Sequence, residues 1–350
     1  MNGDIRPAGH EIIVDGECFS GASVPDGLVG REKETRSVAG ALAPMLRGRP
    51  ALNIWLHGPP GSGKTSIARQ AVGRICPAGG PRVGAHVNCW QHRKLYGVLQ
   101  AIVEQWKILG AEAQDTQVKL DRIRQHLRGR PAVIILDEID RPMPAQREEV
   151  IRGLLELPRV GLACIARDTR ALAGMDGHTR SRLCPAIVTM PAYSTEELLA
   201  ILTDRAERGL AAGTWTPRLL QRIADAANGD ARVAIETLGR AAAASEQAGC
   251  TRIGGALVER FLRQAQAIRL EARAAALSEH EKLIQQLISR HGPMQTAELA
   301  GLYAAHCRRS GVQPMAGRTL AKYIARLEGC GLLSVSGWRG RPGGRTVRAA

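Results

Sequence analysis

Short, mostly apolar runs, unbroken at 132–136, alternate with amphipathic stretches through roughly the first half of the chain, and then the runs stop. Residues 52–57, 83–89, 132–136, 161–166 and 186–190 each hold a strand's length of apolar residues. A run without polar alternation suits a parallel strand buried on both faces. Between the runs, residues 66–72 place Ile67, Ala71 and Val72 on one helical face. Residues 94–109 repeat Leu95, Val98, Leu99, Ile102, Val103, Trp106 and Leu109 at helical spacing, and helices are also predicted at 118–127 and 147–157. Strand alternating with helix predicts an α/β parallel sheet with flanking helices over residues 24–190. From residue 191 only helical periodicity remains, at about 196–211, 217–227, 230–246 and 254–276. That predicts a helical lid with its connecting helix, 191–276. Beyond it, helices at 281–289, 296–309 and 317–328 precede two strands, 331–338 and 345–348, around a Gly- and Arg-rich turn. Three helices and a β-hairpin predict a winged helix, 277–350. Residues 1–23 are polar and Gly-containing and read as a loose tail with one short strand at 11–14.

The loop after the first strand carries the clearest chemistry. Gly58-Pro59-Pro60-Gly61-Ser62-Gly63-Lys64-Thr65-Ser66 contains G-x-x-x-x-G-K-T between a predicted strand and a predicted helix, the context that makes this pattern a phosphate site. Glycines let backbone N–H groups turn toward a β-phosphate, and the helix N-terminus adds its positive end. Lys64 would reach the β- and γ-phosphates, and the Thr65 hydroxyl would ligate Mg²⁺. The third strand ends in Asp137-Glu138, the Walker B pattern: Asp137 would hold Mg²⁺ through water, and Glu138 would act as general base toward the attacking water. Arg167 ends the fourth strand, where a γ-phosphate sensor would sit. Gly30-Arg31-Glu32 opens a helix expected to run to about residue 47. A helix start this far ahead of a phosphate loop often packs beside the nucleotide base, so Val29 and Arg31 join the nucleotide candidates. Gly229-Asp230-Ala231-Arg232 puts Arg232 on the first turn of a lid helix, free to point back at a nucleotide.

Composition sharpens the choice of partner. With 48 Lys and Arg against 33 Asp and Glu, the formal net charge is +15, a balance that points to a polyanion. The C-terminal segment concentrates it, with eleven Lys and Arg against four Glu from Ser278 onward. Arg318, Lys322 and Arg326 recur at four-residue spacing on the third helix, while Arg339, Arg341, Arg345 and Arg348 crowd the hairpin. A basic recognition helix with a basic wing suits duplex DNA. Aromatics are only 3%, so the cores must be built on Leu, Ile, Val and Ala. The 8 cysteines include no C-x-x-C pair, which excludes a zinc site of that kind and a disulfide framework. No apolar stretch reaches membrane-spanning length and no signal-peptide pattern opens the chain, so a cytoplasmic, nucleoid-associated protein is expected.

From about Val24 onward the chain resembles the origin-recognition and replication-licensing AAA+ ATPases of archaea and eukaryotes. The resemblance rests on Leu28-Val29-Gly30-Arg31-Glu32-Lys33-Glu34, the phosphate loop, Val87-Asn88-Cys89 and Leu136-Asp137-Glu138-Ile139-Asp140. It rests also on Gly229-Asp230-Ala231-Arg232 with Ala234-Ile235, His280-Glu281-Lys282-Leu283-Ile284 and the closing winged helix. It implies a P-loop AAA+ core, a helical lid and a DNA-binding winged helix, with ATP or ADP and Mg²⁺ as cofactors. It implies an ATP-dependent initiator with slow hydrolysis that binds double-stranded origin DNA and helps recruit or load the replicative helicase. By resemblance Arg232 is the lid's sensor arginine. Arg182, with Arg180 as competitor, is the arginine finger offered to a neighbouring subunit, which implies self-association or a paralogous partner. The family's DNA-touching helical insertion would lie near 90–109. Arg167 stands where the family usually has Asn, and His178 replaces an Arg commonly found before the finger. Another DNA-associated AAA+ machine, such as a branch-migration motor or clamp loader, and a winged-helix transcription regulator remain alternatives.

Overall fold

The computed structural model describes residues 11–20, 27–75, 83–110, 115–275, 277–311, 313–329, 332–336 and 346–349. Strands β1 (Ile54–His57), β2 (Gly84–Asn88), β3 (Ala132–Asp137), β4 (Val160–Ala166) and β5 (Ala186–Thr189) form one parallel sheet in the order β2-β3-β4-β1-β5. β3 is buried along its whole length, as its unbroken apolar run requires. α1 (Glu32–Leu42) precedes β1, and between the strands run α2 (Lys64–Ile75), α3 (Leu95–Trp106), α4 (Thr116–Leu127), α5 (Pro144–Leu155) and the short α6 (Arg170–Ala173) and α7 (Gly177–Leu183). The sheet order brings the carboxyl ends of β1, β3 and β4 side by side, and ligands of open α/β sheets bind at such ends.

The lid helices are α8 (Thr195–Gly209), α9 (Pro217–Ala227) and α10 (Ala231–Gln247), followed by α11 (Gly255–Ala275). Ser194 and Glu197 form a capping box at the start of α8: the Ser194 hydroxyl accepts from Glu197 N at 3.2 Å, and the Glu197 carboxylate accepts from Ser194 N at 2.7 Å. The chain divides into two units, Met1–Glu259 and Arg260–Ala350. The second holds α12 (Glu279–His291), α13 (Thr296–Arg309) and α14 (Gly317–Gly329), with β6 (Met294–Gln295), β7 (Leu333–Ser336) and β8 (Thr346–Ala349) in an antiparallel sheet ordered β6-β8-β7. This is a winged helix, with β6 adding a strand that the hairpin pattern did not predict. No described helix is long and apolar enough to cross a membrane.

Three expectations change. The first helix stops at Leu42 and tightens into a 3₁₀ turn over Ala43–Arg47, because Pro44 lacks the N–H that would continue it. Residues 11–20 are not a loose tail. Ile12 is fully buried, its N–H donates to the Glu246 carboxylate at 2.9 Å, and Val14 N donates to Gly209 O at 2.9 Å. The predicted strand there is a single bridge, Ile13 to Leu210. Finally, the stretch after Asn88, expected to hold a DNA-touching helical insertion, has a core face. α3 packs its Val98, Leu99 and Ile102 into the sheet core with no exposure, and Trp106 Nε1 donates to Gly84 O at 2.9 Å.

Candidate functional site

The loop leaving β1 is held from two sides. Gly58 N donates to Arg167 O at 3.1 Å, which ties the loop to the end of β4, and Gly61 O accepts from Ala231 N of the lid at 3.2 Å. Gly61 has φ +70°, and a Cβ there would lie 2.0 Å from the Asp230 carboxylate, so only glycine allows the lid this close. Asp230 in turn caps α10 by accepting from Val233 N at 3.1 Å. Lys64 opens α2, and its ammonium donates to Gly58 O at 2.8 Å and Pro59 O at 2.7 Å. Burial brings Lys64 down to about 8; Asp137 opposes the shift and Arg232 adds to it.

Asp137 is the last residue of β3. Its Oδ2 accepts from Thr65 Oγ1 at 2.8 Å and lies 3.2 Å from His86 Nε2, while Oδ1 accepts from Glu138 N at 3.0 Å. Burial raises the carboxyl, but the hydrogen bonds from His86 and Thr65 outweigh it and hold the group below its usual range. A hydroxyl beside an ionised carboxylate is a hard oxygen set that fits Mg²⁺, which keeps waters and takes phosphate oxygens for its other positions. Among the described residues no three His, Cys, Asp or Glu side chains gather into a metal cluster of their own. Glu138 sits at φ +55°, a backbone state uncommon outside glycine and often found at functional sites. Its carboxylate faces Arg141 Nε at 3.9 Å.

These groups open onto a cavity of about 580 Å³, within the usual range for small-molecule sites. Val29, Pro60, Gly61, Ser62, Gly63, Lys64, Thr65, Ser66, Asp137, Glu138, Arg167 and Arg232 all line it. Gly58 and Pro59 stand behind the lining and offer their carbonyls to Lys64. Arg31, expected at the nucleotide, is not a lining residue. It is 2% exposed, and its guanidinium donates to Ser62 O at 3.2 Å, Gly30 O at 3.3 Å and Pro191 O at 2.7 Å, and stacks 3.8 Å from the Tyr193 ring centroid. Its work is to brace the phosphate loop against the lid. Spacing could not reveal this, because every acceptor except Gly30 O is remote in sequence.

The cavity also has walls that the sequence reading missed. Phe19 and Ser20 come from the N-terminal segment, Ile201, Arg205 and Ile235 from the lid, and Arg69 and Arg141 from the core. The available signal for the first was the apolar Ile12-Ile13-Val14 with Phe19, opposite Gly209 and Gly239; a Cβ on either glycine would fall within 3 Å of Phe19. His86 gave no signal, since its partner lies on the neighbouring strand. Arg180 and Arg182 lie on the exposed α7, away from the cavity, and donate to Ala173 O at 3.3 Å and Leu155 O at 3.2 Å. Arg318 and Lys322 are exposed on α14, whereas Arg326 pairs at 3.0 Å with Glu281, a carboxylate with no exposure. Arg339, Arg341 and Arg345 lie outside the described residues.

The AAA ATPase domain family matches residues 27–165, and the Cdc6 AAA+ ATPase-type lid domain family matches residues 199–262. ORC1-type DNA replication protein 9 of Halobacterium salinarum is 30% identical over 332 residues, which cover 93% of this chain and 91% of that protein. The chain belongs to the ORC1-type DNA replication protein family. Solved structures agree. The Aeropyrum pernix ORC2 protein in its ADPNP–ADP complexes matches with a TM-score of 0.74 at 25% identity. Aeropyrum pernix ORC1 in complex with DNA matches with a TM-score of 0.66 at 26% identity. Each match covers 97% of this ORC1-type chain and 94% of the solved one. The family read from the motifs is therefore the family shown by the relatives.

Proposed function

We propose that this protein is an ATP-dependent replication initiator that binds double-stranded origin DNA. The observation that carries the reading is the lid docked on the phosphate loop. Ala231 N reaches Gly61 O at 3.2 Å, and Arg232, the next residue, lines the same cavity as Lys64, Asp137 and Glu138. In that arrangement a nucleotide's phosphates sit where loop and lid meet, so the nucleotide state biases the lid position. Thr65 and Asp137 would hold Mg²⁺, which would supply charge neutralisation at the phosphate oxygens. Lys64 and Arg232 balance phosphate charge from the core and the lid. Glu138 accepts a proton from the attacking water. Arg167 donates to phosphate but cannot accept a hydrogen bond from that water as an amide can, so hydrolysis is slow. The nucleotide then serves as a switch more than as fuel.

On the DNA side, Arg318 and Lys322 of α14 face the duplex, and Arg339, Arg341 and Arg345, which follow in the sequence, contribute positive charge to DNA binding. Arg182, or Arg180, reaches the nucleotide of a neighbouring subunit, and the DNA-bound form recruits the replicative helicase. The test is footprinting on the DNA that flanks the protein's own gene, with and without ATP. Discrete protection of repeated sites, changed by ATP, is expected. Uniform binding with rapid DNA-stimulated hydrolysis would replace this reading with that of a motor.

A further inference from the structure

The general base has its own local restraint. The turn that carries Glu138 is tightly determined: Asp137 Oδ1 accepts from Glu138 N at 3.0 Å, Arg141 N donates to Glu138 O at 3.0 Å, and Ile139 N donates to Ile165 O at 3.0 Å. With Glu138 at φ +55°, the turn brings Arg141 beside the carboxylate, Nε to Oε2 at 3.9 Å. Arg141 is placed from its other side as well. Its guanidinium carbon lies 5.3 Å from the ring centroid of Trp90, which also carries Arg93 at 4.3 Å. Trp90 is 51% exposed, and its backbone is fixed because its N–H donates to the Asn88 carboxamide at 2.8 Å. Its exposed ring supplies a face for two cations.

We propose that Arg141 is a positioning residue that restrains Glu138, and that Trp90 sets where Arg141 sits. The inference rests on the reading of Glu138 as general base given above. The attraction of the guanidinium favours carboxylate positions near Arg141 over positions beside the attacking water, so Glu138 acts more readily once it turns from Arg141. The pair is long and both side chains are about one-third or more exposed, so the restraint is weak and reversible, as a brake on slow turnover needs to be.

The experiment is steady-state ATP hydrolysis by the full chain, with affinity for a fluorescent ATP analogue measured in parallel. Wild type, Arg141→Ala, Arg141→Lys, Trp90→Ala, the Trp90→Ala/Arg141→Ala double variant and Glu138→Gln are compared. Arg141→Ala should raise kcat about twofold to fivefold, the range an exposed pair can carry, a rise in kcat read separately from any change in nucleotide affinity, because Arg141 also lines the cavity. Arg141→Lys should return most of the wild-type value. Trp90→Ala should move kcat the same way by less, and the double variant should add nothing to Arg141→Ala. An Arg141→Ala variant at or below the wild-type rate overturns the proposal, as does a double variant whose effects multiply. If Glu138→Gln hydrolyses at the wild-type rate, the reading of Glu138 as base fails instead, and this inference falls with it for a reason that can be told apart.

Discussion

Replacing Arg31 with alanine separates a bracing role from a nucleotide-contact role. In the folded protein the guanidinium serves three backbone carbonyls, those of Ser62, Gly30 and Pro191, and stacks on Tyr193. Hydrogen bonds from a charged donor contribute about 1.5–3 kcal/mol each, and a desolvated cation–π contact about 2 kcal/mol. The pair with Glu197 adds little, because it spans 3.9 Å and the glutamate side chain is 30% exposed. These contributions share one side chain and do not sum. A net loss of about 2–4 kcal/mol is expected, because buried carbonyls lose their donor and the stack on Tyr193 is lost. For a unit of this length that lowers the melting temperature by roughly 10 °C. The assay is thermal unfolding with and without ADP and Mg²⁺. Arg31→Ala should melt early in both conditions, and Arg31→Lys should recover little, because a single ammonium cannot reproduce the guanidinium fork. Lys64→Ala should keep the nucleotide-free melting temperature and lose the nucleotide-induced rise. An Arg31→Ala protein that melts like wild type but binds nucleotide weakly would refute the bracing argument.

Other outcomes follow from the same geometry. Because burial lowers Lys64 to about 8, nucleotide affinity measured by titration should fall as pH rises through about 8, and Lys64→Arg should flatten that fall. The same shift makes the unfolded chain bind more protons between pH 8 and the ordinary lysine value of 10.5, so this group's contribution to stability rises with pH across that window. Asp137 works with the opposite sense of charge: its carboxyl is held below the ordinary value, so it contributes stability at neutral pH that is lost as pH falls through its folded pKa. Asp137→Asn should therefore flatten the acid limb of a pH–stability curve. Arg326→Ala should destabilise the C-terminal unit by about 1–3 kcal/mol in chemical denaturation, because Glu281 is left buried without its cation. Arg318→Ala with Lys322→Ala should leave denaturation unchanged and make the salt dependence of DNA binding shallower by about two in log–log slope.

Chemistry that is local in the chain was legible from the chain. The phosphate loop, the Asp137-Glu138 pair after a buried strand and the helix start that puts Arg232 on a first turn all depend on residues within a few positions of one another. Spacing alone then specifies which groups share a turn. The parallel sheet, the helical lid and the winged helix were legible for the same reason, since apolar period distinguishes a buried strand from an amphipathic helix. What the tertiary structure decided is how remote segments meet. Arg31 was read as a nucleotide contact because it opens a helix upstream of the phosphate loop, where a helix start often packs beside the base. Folding instead buries it between Ser62 and Pro191, where backbone carbonyls, the Tyr193 ring and a long pair with Glu197 take up its charge. The N-terminal residues looked like a tail because two or three apolar side chains form no periodic element, yet Ile12 and Phe19 find a lid surface opened by Gly209 and Gly239. The same holds for Arg326, identical in pattern to Arg318 and Lys322 but assigned to a buried carboxylate on another helix. Pattern determines the elements and the local chemistry; which charges are spent inside the fold, and which stay free for a ligand, depends on long-range contacts that no periodicity encodes.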